Sequence, residues 1–92
     1  MISAPKTITL KVENQKGIHA RVAAKIVSTA DFHNIEATLS HKGMTVPLGS
    51  IMGLLLLSAR KGSVVILSSE HKDPTPLFNA METLFLEKFD ED

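Results

Sequence analysis

His19 and Arg21 stand two residues apart, just after Gly17, in the run Lys16-Gly17-Ile18-His19-Ala20-Arg21-Val22-Ala23-Ala24. The glycine marks a turn that leads into a helical pattern, so His19 falls at the cap or first residue of a helix. N–H groups at a helix start lack partners within the helix and carry partial positive charge, which makes the place favourable for an anion. The backbone of Ala20 and Arg21 supplies such donors, and the Arg21 side chain adds a full charge with a planar donor fork. A neutral imidazole is a nucleophile. Together these groups can accept a phosphoryl group on His19 and stabilise its charge after transfer. A histidine near a helix start is also a common surface residue, so this motif alone leaves open whether His19 is a nucleophile or only a cap.

A second segment of interest is Ser50-Ile51-Met52-Gly53-Leu54-Leu55-Leu56-Leu57. Serine before an apolar run is an N-cap signature, so a short helix is expected to run to about Ala59. Leu54 and Leu57 are expected in the core, and Ile51, Met52 and Leu55 form an apolar patch. His33, His41 and His71 fall on expected loops without ligand spacing, so no metal is expected. With no glycine-rich nucleotide loop, no cofactor is expected either.

The elements that must position these residues follow from periodicity. Strict alternation over Thr7–Glu13 predicts a half-buried strand with Ile8, Leu10 and Val12 on one face. Ala23, Ile26, Val27 and Ala30 sit at i, i+3, i+4 and i+7, a helix with a small-residue face that stops near Asp31 to Asn34. Alternation returns over Ile35–Leu39, His41-Lys42-Gly43 signals a hairpin, and Met44–Leu48 makes a short strand that Pro47 places at an edge. The β-branched run Ser63–Ser68 predicts a central strand. The last helix starts at Asp73-Pro74, with Asp73 as cap, and carries Leu77, Ala80, Met81, Leu84, Phe85 and Lys88 at helical spacing. The order β-α-β-β-α-β-α predicts an α+β open-faced sandwich, a four-stranded, mostly antiparallel sheet with helices on one face. Residues 1–92 are expected to form one domain, with 1–5 and 89–92 as flexible, frayed tails.

Composition narrows the function. The chain has 92 residues and no cysteine, which excludes disulfide frameworks and thiol chemistry. Ten basic residues balance ten acidic ones, which argues against a nucleic-acid binder. The charge is uneven, however. Residues 1–30 carry Lys6, Lys11, Lys16, Arg21 and Lys25 against Glu13, whereas residues 61–92 carry Lys61, Lys72 and Lys88 against seven acids. The basic third holds His19 and points to phosphoryl groups and acidic protein surfaces as partners. The longest apolar stretch, Ile51–Leu57, is too short for a membrane span, and Met1–Pro5 does not read as a signal peptide. A cytoplasmic monomer without membrane insertion is therefore expected.

Gly17-Ile18-His19-Ala20-Arg21 followed by Ala23-Ala24 resembles the active-site signature of the HPr family, the histidine phosphocarriers of the bacterial phosphoenolpyruvate-dependent sugar phosphotransferase system. Leu48 to Leu54 and Ala59-Arg60-Lys61-Gly62 resemble the regulatory-serine region of the same family, and the similarity runs from Lys6 to about Lys88. The resemblance implies that His19 accepts a phosphoryl group on Nδ1 from phospho-enzyme I and passes it to IIA domains of sugar permeases, with Arg21 as its electrostatic partner and no independent turnover. It implies Ser50 as a regulatory phosphorylation site, with HPr kinase/phosphorylase as a further partner. Ile51, Met52 and Leu55 then belong to a docking face, with basic contacts from Lys25 and Arg60. One position departs from the pattern. Val22 stands where the family usually has proline, which motivates an alternative: an HPr-like regulatory protein that acts through phosphorylation-dependent binding without sugar transport. A small-molecule-binding regulatory domain with His19 as a mere cap is a second rival.

Overall fold

The structure is a computed structural model that describes residues 4–91. Its elements run β1 (Lys6–Lys11), α1 (Ala20–His33), β2 (Thr38–His41), β3 (Met44–Pro47), α2 (Ile51–Leu56), β4 (Val64–Ser69) and α3 (Thr75–Leu86), followed by a single turn at Lys88–Asp90. The four strands form one antiparallel sheet in the order β1-β4-β2-β3. The fold is the expected α+β open-faced sandwich, with β4 central.

Register explains how the sheet separates its two faces. Ile8 pairs with Leu67, Leu67 with Leu39, and Leu39 with Val46, so one inward-facing row crosses all four strands, and Leu10 opposite Val65 adds a buried pair beside it. Val22, Ala23, Ile26, Leu54, Leu77, Met81 and Phe85 from the helices complete the core. Side chains alternate across a strand, so the neighbouring residues Thr9, Ile66, Ser40 and Thr45 line up on the opposite, open face. The β2–β3 turn is closed by Lys42 and Gly43 with φ of 48° and 84°, the two consecutive positive values that a two-residue hairpin requires. Pro47 ends the edge strand β3, where its missing N–H leaves no central ladder bond unmade.

Several boundaries depart from expectation. The second strand is shifted to Thr38–His41, although Ile35 is buried as its alternation suggested. Near that earlier segment the carbonyls find other partners: Ser69 Oγ donates to Glu36 O and Leu48 N donates to Ala37 O. His33 lies within α1 and His41 within β2, not on loops. The short helix ends at Leu56, and α3 begins at Thr75, one residue after Pro74; Asp73 Oδ1 still accepts from Thr75 N.

The largest correction concerns the C-terminus. Phe89 is 1% exposed and packs edge-on against Phe85 at 4.8 Å, so the chain does not fray there. Lys88, Phe89 and Asp90 take φ of 55°, 55° and 60°, a left-handed turn of three non-glycine residues. Each such residue costs about 1–2 kcal/mol. Burying Phe89 contributes about 1.5–3 kcal/mol, too little to hold three of them by itself. Hydrogen bonds to the Phe89 carbonyl and the Glu91 carboxylate, described below, also hold this turn. Ala4 and Pro5 are exposed and outside the regular elements, while Met1–Ser3 and Asp92 lie outside the described residues. The expectations for the extreme N-terminus fall on those residues. Among the described residues no helix is long and apolar enough to cross a membrane.

Candidate functional site

Gly17 sets the site's backbone. Its φ is +67°, and a Cβ there would lie 2.4 Å from the Ala59 carbonyl oxygen and 2.9 Å from Arg60 Cα. Only glycine combines that conformation with so close an approach. Ile18 N then donates to Ala59 O at 3.0 Å, which pins the turn against the loop that follows α2. His19 comes next as the N-cap of α1, in extended conformation, with its carbonyl accepting from Ala23 N. Its side chain makes no capping bond, so the imidazole is not consumed in closing the helix.

The imidazole is instead held by the far end of the chain. His19 Nε2 lies 2.8 Å from Glu91 Oε2 and 3.0 Å from Oε1. Arg21 Nη2 donates to Glu91 Oε2 at 2.9 Å, and Asn14 Nδ2 donates both to Glu91 Oε1 at 2.7 Å and to Gly17 O at 2.8 Å. The Glu91 side chain is 7% accessible, against 30% for His19 and 65% for Arg21. The Asn14 hydrogen bond foremost, with those from His19 and Arg21, holds the Glu91 pKa down at about 2 against the opposing cost of burial. An ionised carboxylate only accepts, so Nε2 carries the hydrogen and the neutral ring keeps its lone pair on Nδ1. The contact therefore selects which nitrogen can attack an electrophile.

Lys25 belongs to the same arrangement. Its Nζ donates to the Phe89 carbonyl at 2.7 Å and lies 3.8 Å from Asp90 Oδ2. Lys25, expected as a basic docking contact, is engaged within the chain by the C-terminal turn. The positive N-terminal third and the acidic C-terminus meet in space, and part of the charge that was to attract acidic partners is neutralised within the chain.

Ser50 caps α2: its Oγ accepts from Gly53 N at 2.9 Å. Ile51 and Met52 are exposed at 40% and 68%, Leu54 and Leu57 are buried, and Leu55 is half-buried. Leu56, 64% exposed, replaces Leu55 as the third open apolar side chain of this helix. Arg60 is exposed on the loop behind the Gly17 turn. Asn14 and Glu91 were missed by sequence reasoning. Phe89 carried a usable signal, since it stands four residues after Phe85 and continues the helical spacing.

A family model described as the PTS HPr component phosphorylation site matches residues 6–87. The chain belongs to the HPr phosphocarrier family. It is 40% identical over 83 residues to the phosphocarrier protein HPr of Xylella fastidiosa strain Temecula1, covering 90% of this chain and 93% of that one. It is 37% identical over 84 residues to the HPr of Treponema pallidum, covering 91% and 96%. Among solved structures, HPr-C-His from Thermoanaerobacter tengcongensis superposes with a TM-score of 0.87 at 34% identity, over 95% of this chain and 98% of that one. The Bacillus anthracis HPr gives 0.82 at 26% identity, over 90% and 99%. HPr is thereby the frame for the site: a phosphocarrier of the phosphotransferase system that works through a phosphohistidine.

Two predictions follow from the site's geometry. Glu91 has a depressed pKa in the folded chain, so its contribution to stability is complete above the usual glutamate value of 4.5 and is lost as pH falls through about 2. Amide spectra recorded from pH 6 to pH 2 are expected to show the Phe89–Glu91 turn releasing across that window. Glu91→Gln is expected to remove this part of the pH dependence. The second prediction concerns Val22, which is fully buried at the third residue of α1. The first backbone bond of the helix is made by Ala23 N, so proline at 22 would forfeit no bond of the helix ladder. Val22→Pro is expected to change the phosphoryl-transfer rate by less than about tenfold, equivalent to about 1.4 kcal/mol in the barrier, because it alters rigidity and not the reacting groups. Rapid-quench transfer measurements on both proteins check this, and a larger change would give the departure a catalytic role.

Proposed function

We propose that this chain accepts a phosphoryl group on His19 Nδ1 from phospho-enzyme I and donates it to IIA domains. The observation that carries this reading is the hydrogen bonding of His19 Nε2 to the Glu91 carboxylate, which leaves Nδ1 as the nucleophilic nitrogen of a ring at a helix start. In the forward step the Nδ1 lone pair attacks phosphorus, the N–P bond forms, and the bond from phosphorus to the enzyme I histidine breaks with its electron pair returning to that ring. The backbone of Ala20 and Arg21 and the Arg21 guanidinium then face the oxygens of the new phosphoramidate. Arg21 is tied to Glu91 beforehand, so the phosphoryl oxygens and the carboxylate compete for the same guanidinium.

Ile51, Met52 and Leu56 give partners an exposed apolar face on α2, the helix that packs against α1, and Leu55 is half-buried. Ser50 is the regulatory site in this reading. A phosphate on its hydroxyl retains acceptors for the Gly53 N–H while adding about two negative charges beside that face, which weakens docking to acidic partners. HPr kinase/phosphorylase is the enzyme that would place it.

The test is to incubate the protein with phosphoenolpyruvate and enzyme I. An acid-labile, alkali-stable adduct on His19 that passes to a IIA domain is the expected result. No adduct beside a competent control carrier would overturn the reading. Labelling without onward transfer to any IIA domain would favour a regulatory HPr-like protein, the alternative that Val22 motivates.

A further inference from the structure

A broad groove of about 930 Å³ opens between the β2–β3 hairpin and the loop that joins α2 to β4. Three cationic residues line it, Lys42, Arg60 and Lys61, and no aspartate or glutamate does. Three of the chain's exposed large apolar side chains line it as well: Met44 at 46%, Leu56 at 64% and Val64 at 53%. The walls are fixed. His41 is buried, and its Nδ1–H donates to Leu57 O at 2.9 Å, which ties the hairpin to the end of α2. The tight Lys42-Gly43 turn and the Arg60–Ser63 turn, closed by Ser63 N to Arg60 O and by Arg60 N to Ser63 Oγ, hold the cationic residues on either side.

We infer that this groove docks an acidic segment of a partner protein in which apolar side chains alternate with carboxylates. The charge complementarity is one-sided, with three positive residues and no negative one in a chain whose net charge is zero. A small hydrophilic anion would leave Met44, Leu56 and Val64 in water, whereas an amphipathic segment covers them. A nucleic acid would find no phenylalanine, tyrosine or tryptophan there to stack on, and the His41 ring is buried. Preformed walls lower the ordering cost of binding.

The location gives the groove a use. The Ala59–Arg60 backbone touches the Gly17 turn on one side, and Arg60 borders the groove on the other. Leu56 stands one helical turn from Met52, so the groove continues the exposed apolar ridge of α2. A segment seated there lies against the loop that packs on the Gly17 turn and leaves His19, which does not line the groove, uncovered. This inference does not depend on His19 being phosphorylated.

The test is a titration of the isotope-labelled full chain with an end-capped heptapeptide in which glutamate alternates with leucine. Amide shifts are expected at Lys42, Met44, Leu56, Ser58 and Lys61. Affinity is expected to fall about tenfold in the Arg60→Glu/Lys61→Glu double variant and to weaken as salt rises from about 0.05 to 0.5 M. Leu56→Ser, at an exposed position, is expected to weaken binding with the native spectrum retained. The proposal is overturned if the shifts are absent, or are confined to Ile51, Met52 and His19. It is equally overturned if a lysine–leucine peptide produces the same shifts, or if inorganic pyrophosphate binds the same residues as tightly, which would make this a small-anion site.

Discussion

His19→Gln is expected to reduce phosphoryl acceptance from phospho-enzyme I to background, a loss of about 10⁴-fold or more, the scale seen when a nucleophile is removed. The reason is chemical, because the lone pair of glutamine's amide nitrogen is delocalised into the carbonyl and is not nucleophilic enough to form an N–P bond. The fold is expected to survive. The His19 side chain makes no helix cap, is partly open to solvent, and glutamine retains an N–H for the Glu91 carboxylate. The thermal midpoint is therefore expected to stay close to wild type, in line with surface substitutions worth less than about 0.5 kcal/mol. Among the described residues no other histidine has an equivalent setting: His33 lies in the last turn of α1, edge-on to the Phe32 ring. His41 is buried with Nδ1 on a carbonyl, and His71 Nδ1 accepts from Asp73 N. Arg21→Ala is expected to give a graded result, with labelling retained at a rate lower by about 10²–10³, the loss typical of one charge-stabilising donor. Residual labelling of His19→Gln at the wild-type level would place the acceptor elsewhere.

Gly17→Ala is expected to be the most damaging single-methyl change in the chain. The backbone at φ +67° costs a side-chain-bearing residue about 1–2 kcal/mol. The new Cβ would stand 2.4 Å from a backbone oxygen, so the Ala59–Arg60 strap has to move, and overpacking of this kind costs about 1–3 kcal/mol more. Together the loss is about 2–5 kcal/mol, a large fraction of the stability of a domain this small. At about 4–8 °C per kcal/mol, the thermal midpoint is expected to drop by about 8–40 °C, measured by circular dichroism. The same displacement moves the Ile18 N to Ala59 O bond, so His19 is presented differently even in molecules that remain folded. A midpoint within a degree or two of wild type would show that the turn relaxes freely. Alanine at Gly43 is a useful contrast, since its φ is also positive but nothing lies within 4 Å of the added Cβ.

Much of the fold was legible because it is written in local periods. The β-branched run Ser63–Ser68 announced a central strand, found at Val64–Ser69, Pro47 announced an edge, Lys42-Gly43 a hairpin, and Ser50 a cap whose hydroxyl the structure does use. Errors arose where local pattern and tertiary pairing part. Alternation over Ile35–Leu39 showed which side chains face inward, but the ladder begins only at Thr38, where the end of β4 offers partners. The uncharged-looking sum of ten acids and ten bases hid a pairing between the two ends of the chain.

For the site, the sequence by itself determined the identity and spacing of His19 and Arg21 and the glycine that turns the chain toward them. Spacing within a few residues is decided by backbone geometry, and that geometry is local. Only the tertiary structure decided the rest: that Asn14 and Glu91 converge on the imidazole, that Lys25 and Arg21 are engaged within the chain, and that Phe89 anchors a left-handed turn to bring the carboxylate there. Glu91 and His19 are 72 residues apart. No local period connects such positions. Their contact exists because burial of Phe89 against α3 fixes where Glu91 lies, and a carboxylate delivered to that place meets three donors at once.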